Sequence, residues 1–411
     1  MVGNQYPMVP LGEIADVFDH MRIPVKKADR RPGPYPYYGA SGIVDYVDSY
    51  IFEGEYLLLA EDGENLRAQN TPIAFMATGK FWVNNHAHIL KGNARSVTRF
   101  LCYALQAADV RSYLSGSTRP KLTQGDMKRI PIHCPPVDTQ EAIARILGAL
   151  DDKIELNRRM NETLEEIARA IFKSWFVDFD PVWAKAAGQQ PAGLAPHIVD
   201  LFPDAFEESE LGEIPKGWEV GTVGEDFDIT MGQSPPGETY NEDGEGLPFY
   251  QGRRDFGFRY PSLRVYCTAP TRFAKPGDTL VSVRAPVGDI NMAIEDCCVG
   301  RGVAAVRHKT GSRSYTYYAM QSLRTLFDRF EAEGTVFGSL NKRDFHNLPF
   351  LIPPTQVVAK FEQQLFPIDQ LIETSEQQVQ TLAELRDTLL PKLISGELRV
   401  PDAERIVGRH V

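Results

Sequence analysis

A few groupings in this 411-residue chain could be asked to do chemistry. His86 and His88 could face a metal from one side of a strand. No third ligand stands at a helpful spacing, so two structural or DNA-facing histidines are the better reading. Thr78-Gly79-Lys80 has the end of a phosphate loop without its first glycine or the hydroxyl residue that should follow. No GxGxxG follows a strand, and neither the Asn-Pro-Pro-aromatic nor the Asp-Pro-Pro-aromatic tetrapeptide of amino-methyltransferases occurs. Cys297 and Cys298 read as buried packing rather than redox groups. Asp151 and Asp152 fall on a helical stretch and read as a solvated face. No nucleophile, base and orienting group come together, so catalytic and metal sites are both expected to be absent. A chain of this kind is expected to read something rather than transform it.

The elements that would position such a reader are written twice. Shifting residues 116–176 by 218 positions overlays them on residues 334–394 without a gap. Gly116 falls on Gly334, Leu122 on Leu340, Asp126 on Asp344, and Pro135-Pro136 on Pro353-Pro354. Such a step is too long for a solenoid repeat, which runs about 20–50 residues. It implies two similar halves, each a domain followed by a long helix. In the first copy Ile143, Leu147, Leu150, Ile154, Asn157, Asn161, Leu164, Ala168, Ile171 and Trp175 recur at alternating steps of four and three. In the second copy Phe361, Leu365, Ile368, Ile372, Ser375, Val379, Leu382, Arg386, Leu389 and Leu393 do the same. That period keeps one stripe facing a partner helix, and two stripes in one chain can bury each other. The polar seam positions Asn157, Asn161, Ser375 and Arg386 weaken burial but can fix register.

Length allows two or three domains, each with its own core. The net charge of -11 suits a polyanion poorly, but the charge is unevenly placed. Residues 65–129 hold ten Lys and Arg against Asp109 and Asp126, residues 22–31 hold five against Asp29, and residues 299–325 hold five with no acid. Residues 136–212 carry fifteen acids against seven bases. Basic domains around an acidic middle fit nucleic-acid contact by the domains and not by the spacer. The five cysteines form no CxxC pair and the first residues show no secretory pattern, which implies reduced thiols and a cytoplasmic location. No apolar run of about 18 residues marks a membrane span.

In chain order, residues 10–18 (PLGEIADVF) form a short amphipathic opening, with a related one at 220–227. Residues 57–59, 73–76 and 88–90 read as strands of the first domain and 98–114 as helical. The second domain shows strands at 249–251, 279–283 and 303–306 and a helical stretch at 315–330. The first long helix is expected over about residues 139–176, roughly 57 Å at 1.5 Å per residue. Residues 188–203 read as a connector. Pro367 predicts a kink or break near Phe366, and Pro391 a disturbed last turn. The domain plan is therefore residues 1–136, a helix over 137–176, a linker over 177–212, a second domain over 213–354, a second helix over 355–396 and a tail over 397–411.

Several segments resemble the specificity subunit of Type I restriction–modification enzymes (the HsdS family). TGKFWVNNHAHIL (78–90), GDTLVSVRAPVGDIN (277–291) and VGRGVAAVR (299–307) look like cores of target recognition domains. GSTRPKLTQGDMKRIPIHCPPVDTQ (116–140) looks like the exit into the first conserved helix. FKSWFVDFDPVWAK (172–185) and LLPKLISGEL (389–398) are similar to that family's helix ends. The chain departs from pattern in one place: the glutamine after the double proline is Gln140 in one copy and Gln356, two places earlier, in the other.

The resemblance implies an α+β fold: two similar mixed α/β target recognition domains separated by two long antiparallel coiled-coil helices, with pseudo-two-fold symmetry. It implies that each domain binds half of a bipartite double-stranded DNA site with an unread gap. The partners would be two methyltransferase (M) subunits, with up to two restriction (R) subunits for cleavage. The chain itself would bind no cofactor. S-adenosylmethionine would belong to the methyltransferase, and ATP and Mg to the restriction subunit. The expected DNA-binding residues are Lys80, Asn84, Asn85, His86, Arg119, Lys121, Thr123 and Gln124 in the first domain. In the second they are Arg253, Arg254, Arg284, Arg301, Ser339, Asn341 and Lys342. The aromatic stretch Trp175, Phe176, Phe179 and Trp183 is the expected partner surface, with packing at the helix end as its competitor. A protein-only scaffold and a nuclease–methyltransferase with embedded specificity domains are the alternative readings.

Overall fold

A computed structural model describes residues 6–116, 118–191, 193–333 and 338–409. The expected match of Gly334 to Gly116 and residue 192 of the connector lie outside them. The chain divides into two compact units: Met1–Leu156 with Val379–Val411, and Asn157–Gln378. The division cuts both long helices, Val137–Phe176 and Thr355–Ser395, so each unit contains half of each.

The first unit carries a six-stranded sheet in the order Ala15–Val17, Ala87–Gly92, Phe52–Ala60, Ala74–Val83, Tyr35–Gly39, Gly42–Val47. Its pairs are antiparallel except where Tyr37 and Tyr38 run alongside Trp82 and Val83. Leu57 and Leu59 turn one face of the strand Phe52–Ala60 towards the helix Thr98–Ala107, whose Phe100, Leu101 and Leu105 are buried. The same core continues into the long helices through Ile143, Leu147, Leu150 and Ile154 of the first and Leu382, Leu389 and Leu393 of the second. The expected tail is a correction. Residues Val400–Val407 form a helix, and Ala403 and Val407 enter this core.

The second unit has a four-stranded antiparallel sheet in the order Phe227–Met231, Val303–His308, Thr279–Val283, Val287–Met292. A five-stranded sheet includes Leu247–Tyr250, parallel to Cys297–Val299. Helices Arg313–Ser322 and Arg324–Glu333 cover the first sheet, the expected single helical stretch being broken at Leu323. Tyr315, Tyr318 and Val306 share a core with Phe172 and Trp175 of the first long helix and Phe361 and Leu365 of the second. The connector folds too. Helices Asp180–Ala186 and Pro196–Val199 bury Val182, Ile198 and Phe202, and the Lys185 ammonium donates to the carbonyls of Val199 and Phe202.

Within the second unit the long helices run antiparallel: Asn157 donates to Gln378 (2.8 Å) and Asn161 to Glu376 (2.8 Å). Asn157, Asn161 and Ser375 are thus buried and bonded across the seam, where a register slip would strand them, whereas Arg386 is partly exposed. The helix Thr355–Ser395 runs unbroken through Pro367 and Pro391, so of the kink or break expected near Phe366 the break does not occur. Leu365 and Ile372, buried on either side of Pro367, hold the backbone helical where the missing N–H would favour an exit. Gln140 is fully buried; its amide donates to the carbonyls of Arg95 (3.0 Å) and Pro135 (2.8 Å) and accepts from the Val97 N–H (2.9 Å). The aligned position in the second copy is the buried Val358, so the shifted Gln356 leaves no polar group stranded there.

The burial contrast gives a direct check. Leu365→Ala should cost about 2–5 kcal/mol of unfolding free energy. Leu371→Ala on the same helix, 53% exposed, should change it by less than about 0.5 kcal/mol in urea unfolding. Equal losses would contradict the packing.

Candidate nucleic-acid interface

Part of the set expected to meet DNA lies at one recurring turn: Lys121, Thr123 and Gln124 in the first unit, and Arg284, Ser339, Asn341 and Lys342 in the second. In the first unit Leu122 is buried and its N–H donates to the Glu61 carbonyl (2.8 Å). The next residue, Thr123, caps a short helix by accepting from the Asp126 N–H (3.2 Å). In the second unit, one repeat later, Leu340 donates to the Val283 carbonyl (3.0 Å), and Asn341 accepts from the Asp344 N–H (3.0 Å). Thr123 and Asn341, both expected among the DNA-binding residues, thus act as caps, their side-chain oxygens accepting backbone N–H groups. In the first unit the backbone of Lys121 forms an antiparallel β-bridge with that of Asp62, and in the second the backbone of Ser339 does so with that of Arg284.

Internal carboxylates take most of the first unit's expected cations. Arg119 pairs with Asp62 (2.7 Å), which also holds His86 (2.8 Å). Lys121 pairs with Glu61 (3.2 Å), and Glu61 also pairs with Arg22 (2.5 Å). Gln124 reaches Asp19 (3.4 Å). His88 is fully buried between Asp19 (2.6 Å) and the Leu122 carbonyl (2.8 Å), a structural histidine. Burial opposes ionisation of Asp19, yet the hydrogen bond and charge of His88 hold its carboxyl below the usual range. Asn84 is also corrected: it is buried and accepts from the His86 N–H (2.7 Å), which shapes the turn. Asn85 and Lys80 stay exposed; the Lys80 ammonium lies 4.7 Å from the Tyr50 ring centre and 4.0 Å from Glu53.

Sequence reading missed the hairpin Tyr35–Gly39/Gly42–Val47 at the edge of this sheet. Ile43, Val44 and Tyr46 are each about half exposed on it. The basic stretch over residues 22–31 lies against it, through the Arg30–Asp45 pair (3.0 Å) and the bond from the Asp48 N–H to the Arg31 carbonyl (3.0 Å). Lys26 and Arg31 are exposed and have no ion-pair partner among the described residues. The Tyr- and Gly-dense composition and the basic run were visible in the sequence; their juxtaposition was not.

In the second unit Arg253 pairs with Asp289 (2.6 Å), whereas Arg254, Arg284 and Arg301 are exposed without ion pairs among the described residues. Lys342 is exposed on the short helix that Asn341 caps. Arg259, which composition did not single out, is the largest fully buried side chain. It donates to Glu165 of the first long helix, Asp369 of the second (3.1 Å) and the Tyr318 hydroxyl (2.6 Å), so it ties this domain to both helices. Asp369 also accepts from the Ser314 hydroxyl. In the first unit the repeat-related Asp151 accepts from the Tyr103 hydroxyl (2.6 Å) and Arg386 (2.9 Å). Asp151 is therefore an anchor, not the solvated face expected for it.

The aromatic stretch is corrected in the same way. Trp175 is buried against Phe202 and Phe361 (centroids 5.3 and 5.8 Å). Phe176 lies on Tyr315 and Phe361 (both 5.1 Å), and Phe179 on Trp218 (5.7 Å). These three pack within their own unit; Trp183 packs on Phe206 and stays half exposed. Cys297 and Cys298 are buried free thiols, and burial pushes the Cys298 thiol pKa up to about 12. No His/Cys/Asp/Glu group able to hold a metal occurs among the described residues, and none of their helices is long and apolar enough to cross a membrane.

Comparison with known proteins decides the family. The model of the Type I restriction modification DNA specificity domain matches the chain twice, over residues 4–166 and 215–384. The chain belongs to this family. Family membership favours neither a protein-only scaffold nor a self-contained nuclease–methyltransferase. The specificity-domain chain is 31% identical over 283 residues to a protein of Methanocaldococcus jannaschii named as the MjaX type I restriction enzyme specificity subunit, across 68% of this chain and 62% of that one. It is 25% identical over 403 residues to the MjaIX specificity subunit of the same organism, across 90% and 88%. Its fold resembles the crystal structure of a Type-I restriction-modification system S subunit from M. genitalium, with TM-score 0.62 and 18% identity across 95% and 96% of the two chains.

Truncation separates packing from surface in the aromatic stretch. Trp175→Ala should cost about 3–5 kcal/mol. Trp183→Ala should cost about 1 kcal/mol or less in thermal unfolding. The reverse order would contradict the burial assigned to the pair.

Proposed function

We propose that this specificity-domain chain is the DNA-reading subunit of a Type I restriction–modification complex. Each domain binds one half of a bipartite site, and the helix pair sets an unread gap between the halves. The observation that carries this reading is the doubled family match, echoed by the same capped turn at equivalent places in the two units. A domain written twice, with exposed cations in each copy, has the parts to read two short sequences. Two methyltransferase subunits would supply S-adenosylmethionine and the transfer chemistry. Restriction subunits using ATP and Mg would be added for cleavage. In the first unit Lys80, Asn85, Arg119, Lys121 and Gln124 are offered as contacts, joined by Lys26, Arg31 and the tip of the Tyr35–Gly39/Gly42–Val47 hairpin. In the second, Arg284, Ser339 and Lys342 at the turn are offered, together with the exposed Arg254. Trp183 is the remaining partner contact of the aromatic stretch.

Mapping methylated bases in cells that express this chain with its methyltransferase partner tests the reading. A split motif supports it; a continuous motif, or none, contradicts it. Helices of 40 and 41 residues would serve as the ruler. Deleting four residues from each removes about 6 Å, which at about 3.4 Å per base pair should shorten the gap by one or two base pairs. An unchanged motif after that deletion would rule the ruler out. Arg284→Ala should weaken binding to all sequences alike and lower the salt slope by about 1, measured by titration at several salt concentrations. An unchanged slope would remove Arg284 from the interface.

A further inference from the structure

Three loops of the Asn157–Gln378 unit meet at one place, at residues 232–234, 251–252 and 299–302. The Gly232 N–H donates to the Val303 carbonyl (2.9 Å), and the Gln233 N–H to the Val299 carbonyl (3.0 Å). The Gly300 N–H donates to the Tyr250 carbonyl (2.9 Å), and the Arg301 N–H to the Ser234 hydroxyl (3.3 Å). Only glycine permits this approach at two of the positions. A Cβ on Gly232 would collide with the carbonyls of Gly300, Val299 and Val303, and one on Gly302 with the Gln251 carbonyl.

Around this close-packed backbone Gln233, Ser234, Gln251 and Arg301 are all exposed. Among the described residues, the amides of Gln233 and Gln251 and the guanidinium of Arg301 have neither hydrogen-bond nor ion-pair partner. Arg253 beside them is held by Asp289 (2.6 Å), and the buried Asp255 is occupied by the Gln251 N–H (2.7 Å) and Arg264 (2.9 Å). Unpaired amides and an unpaired guanidinium have the donor–acceptor sets that match base edges: glutamine bonds adenine at N6 and N7, and arginine bonds guanine at O6 and N7. A lysine-rich patch would serve phosphates equally well and read nothing. Here two amides, which add no charge, share the cluster with one arginine, while the Ser234 hydroxyl holds the Arg301 N–H.

We propose that Gln233, Gln251 and Arg301 form the base-reading cluster of the second recognition domain and face a major groove. The proposal rests on the reading of the chain as a DNA specificity subunit. It names the side chains that carry sequence information, leaving Arg284 and Lys342 to phosphates.

The test uses the full chain co-expressed with its methyltransferase partner. Methylated bases are mapped for the wild type and for Gln233→Ala, Gln251→Ala and Arg301→Ala. Each variant should relax one position in one and the same half of the motif, with discrimination there falling by roughly tenfold or more and the other half unchanged. An unchanged motif at wild-type methylation levels in all three overturns the proposal. A wild-type map without a split motif overturns the functional reading itself, a separate outcome. A variant that methylates nothing but melts like the wild type is scored by binding to duplexes altered one base pair at a time. Lost preference at a single position supports the proposal, and uniform weakening at every position, the mark of a phosphate contact, overturns it. If an alanine variant fails to fold, the near-isosteric Gln251→Glu and Arg301→Gln are read by the same two criteria.

Discussion

Neither long helix can bury its apolar stripe alone. A stripe that recurs at steps of four and three covers one narrow face, and a single helix leaves that face in water. Here the stripes are covered twice over. In the first unit Leu147 and Leu150 share a core with Leu389 and Leu393, and in the second Phe172 shares one with Phe361 and Leu365. The domains are continuous with these cores, so no apolar boundary separates a reading domain from its helical mount. The stripe makes each half of the chain require the other, since each unit takes one piece of both helices.

On that mount the same helical position is used twice to fix a domain. Asp151 and Asp369 are related by the repeat, and each is held by a hydroxyl and a guanidinium: Tyr103 and Arg386 for one, Ser314 and Arg259 for the other. The halves differ in how much charge they bury. Arg259 is fully buried with Glu165 and Asp369, while Arg386 keeps part of its surface in water. A buried pair contributes little net stability over an apolar substitute, but removing one partner strands the other charge. Losing Arg259 would therefore leave Glu165 and Asp369 buried without their guanidinium. The side contacts diverge as well: Gln140 holds the first helix start, whereas Glu362 accepts from the Ser314 N–H (2.9 Å) at the start of a domain helix.

The periodic part of this architecture was open to sequence reading. Period alone locates both long helices to within a few residues, and the ungapped repeat places Thr123 and Asn341 in equivalent turns. Pattern fails where distant residues decide. Whether Arg119 or Lys121 is free for a ligand depends on Asp62 and Glu61, about sixty residues away, and no local signal reveals the pairing. Trp175 looked like a docking residue because the aromatic cluster that buries it comes from Phe202 and Phe361. Pro367 is a helix breaker locally, and packing overrules it. The cluster of Gln233, Gln251 and Arg301 is assembled from three separate loops, so spacing could not show it.

On the proposed reading each domain is a reading head, tied to the long-helix segments of its own unit by a carboxylate that a hydroxyl and a guanidinium hold. The most direct measurement is selection of binding sequences. The assembled complex is incubated with a pool of duplexes randomised across the whole footprint, and the retained DNA is sequenced. The account predicts two blocks of constrained bases flanking a block of fixed length in which any base is accepted. One uninterrupted block, or two blocks at variable separation, would contradict it.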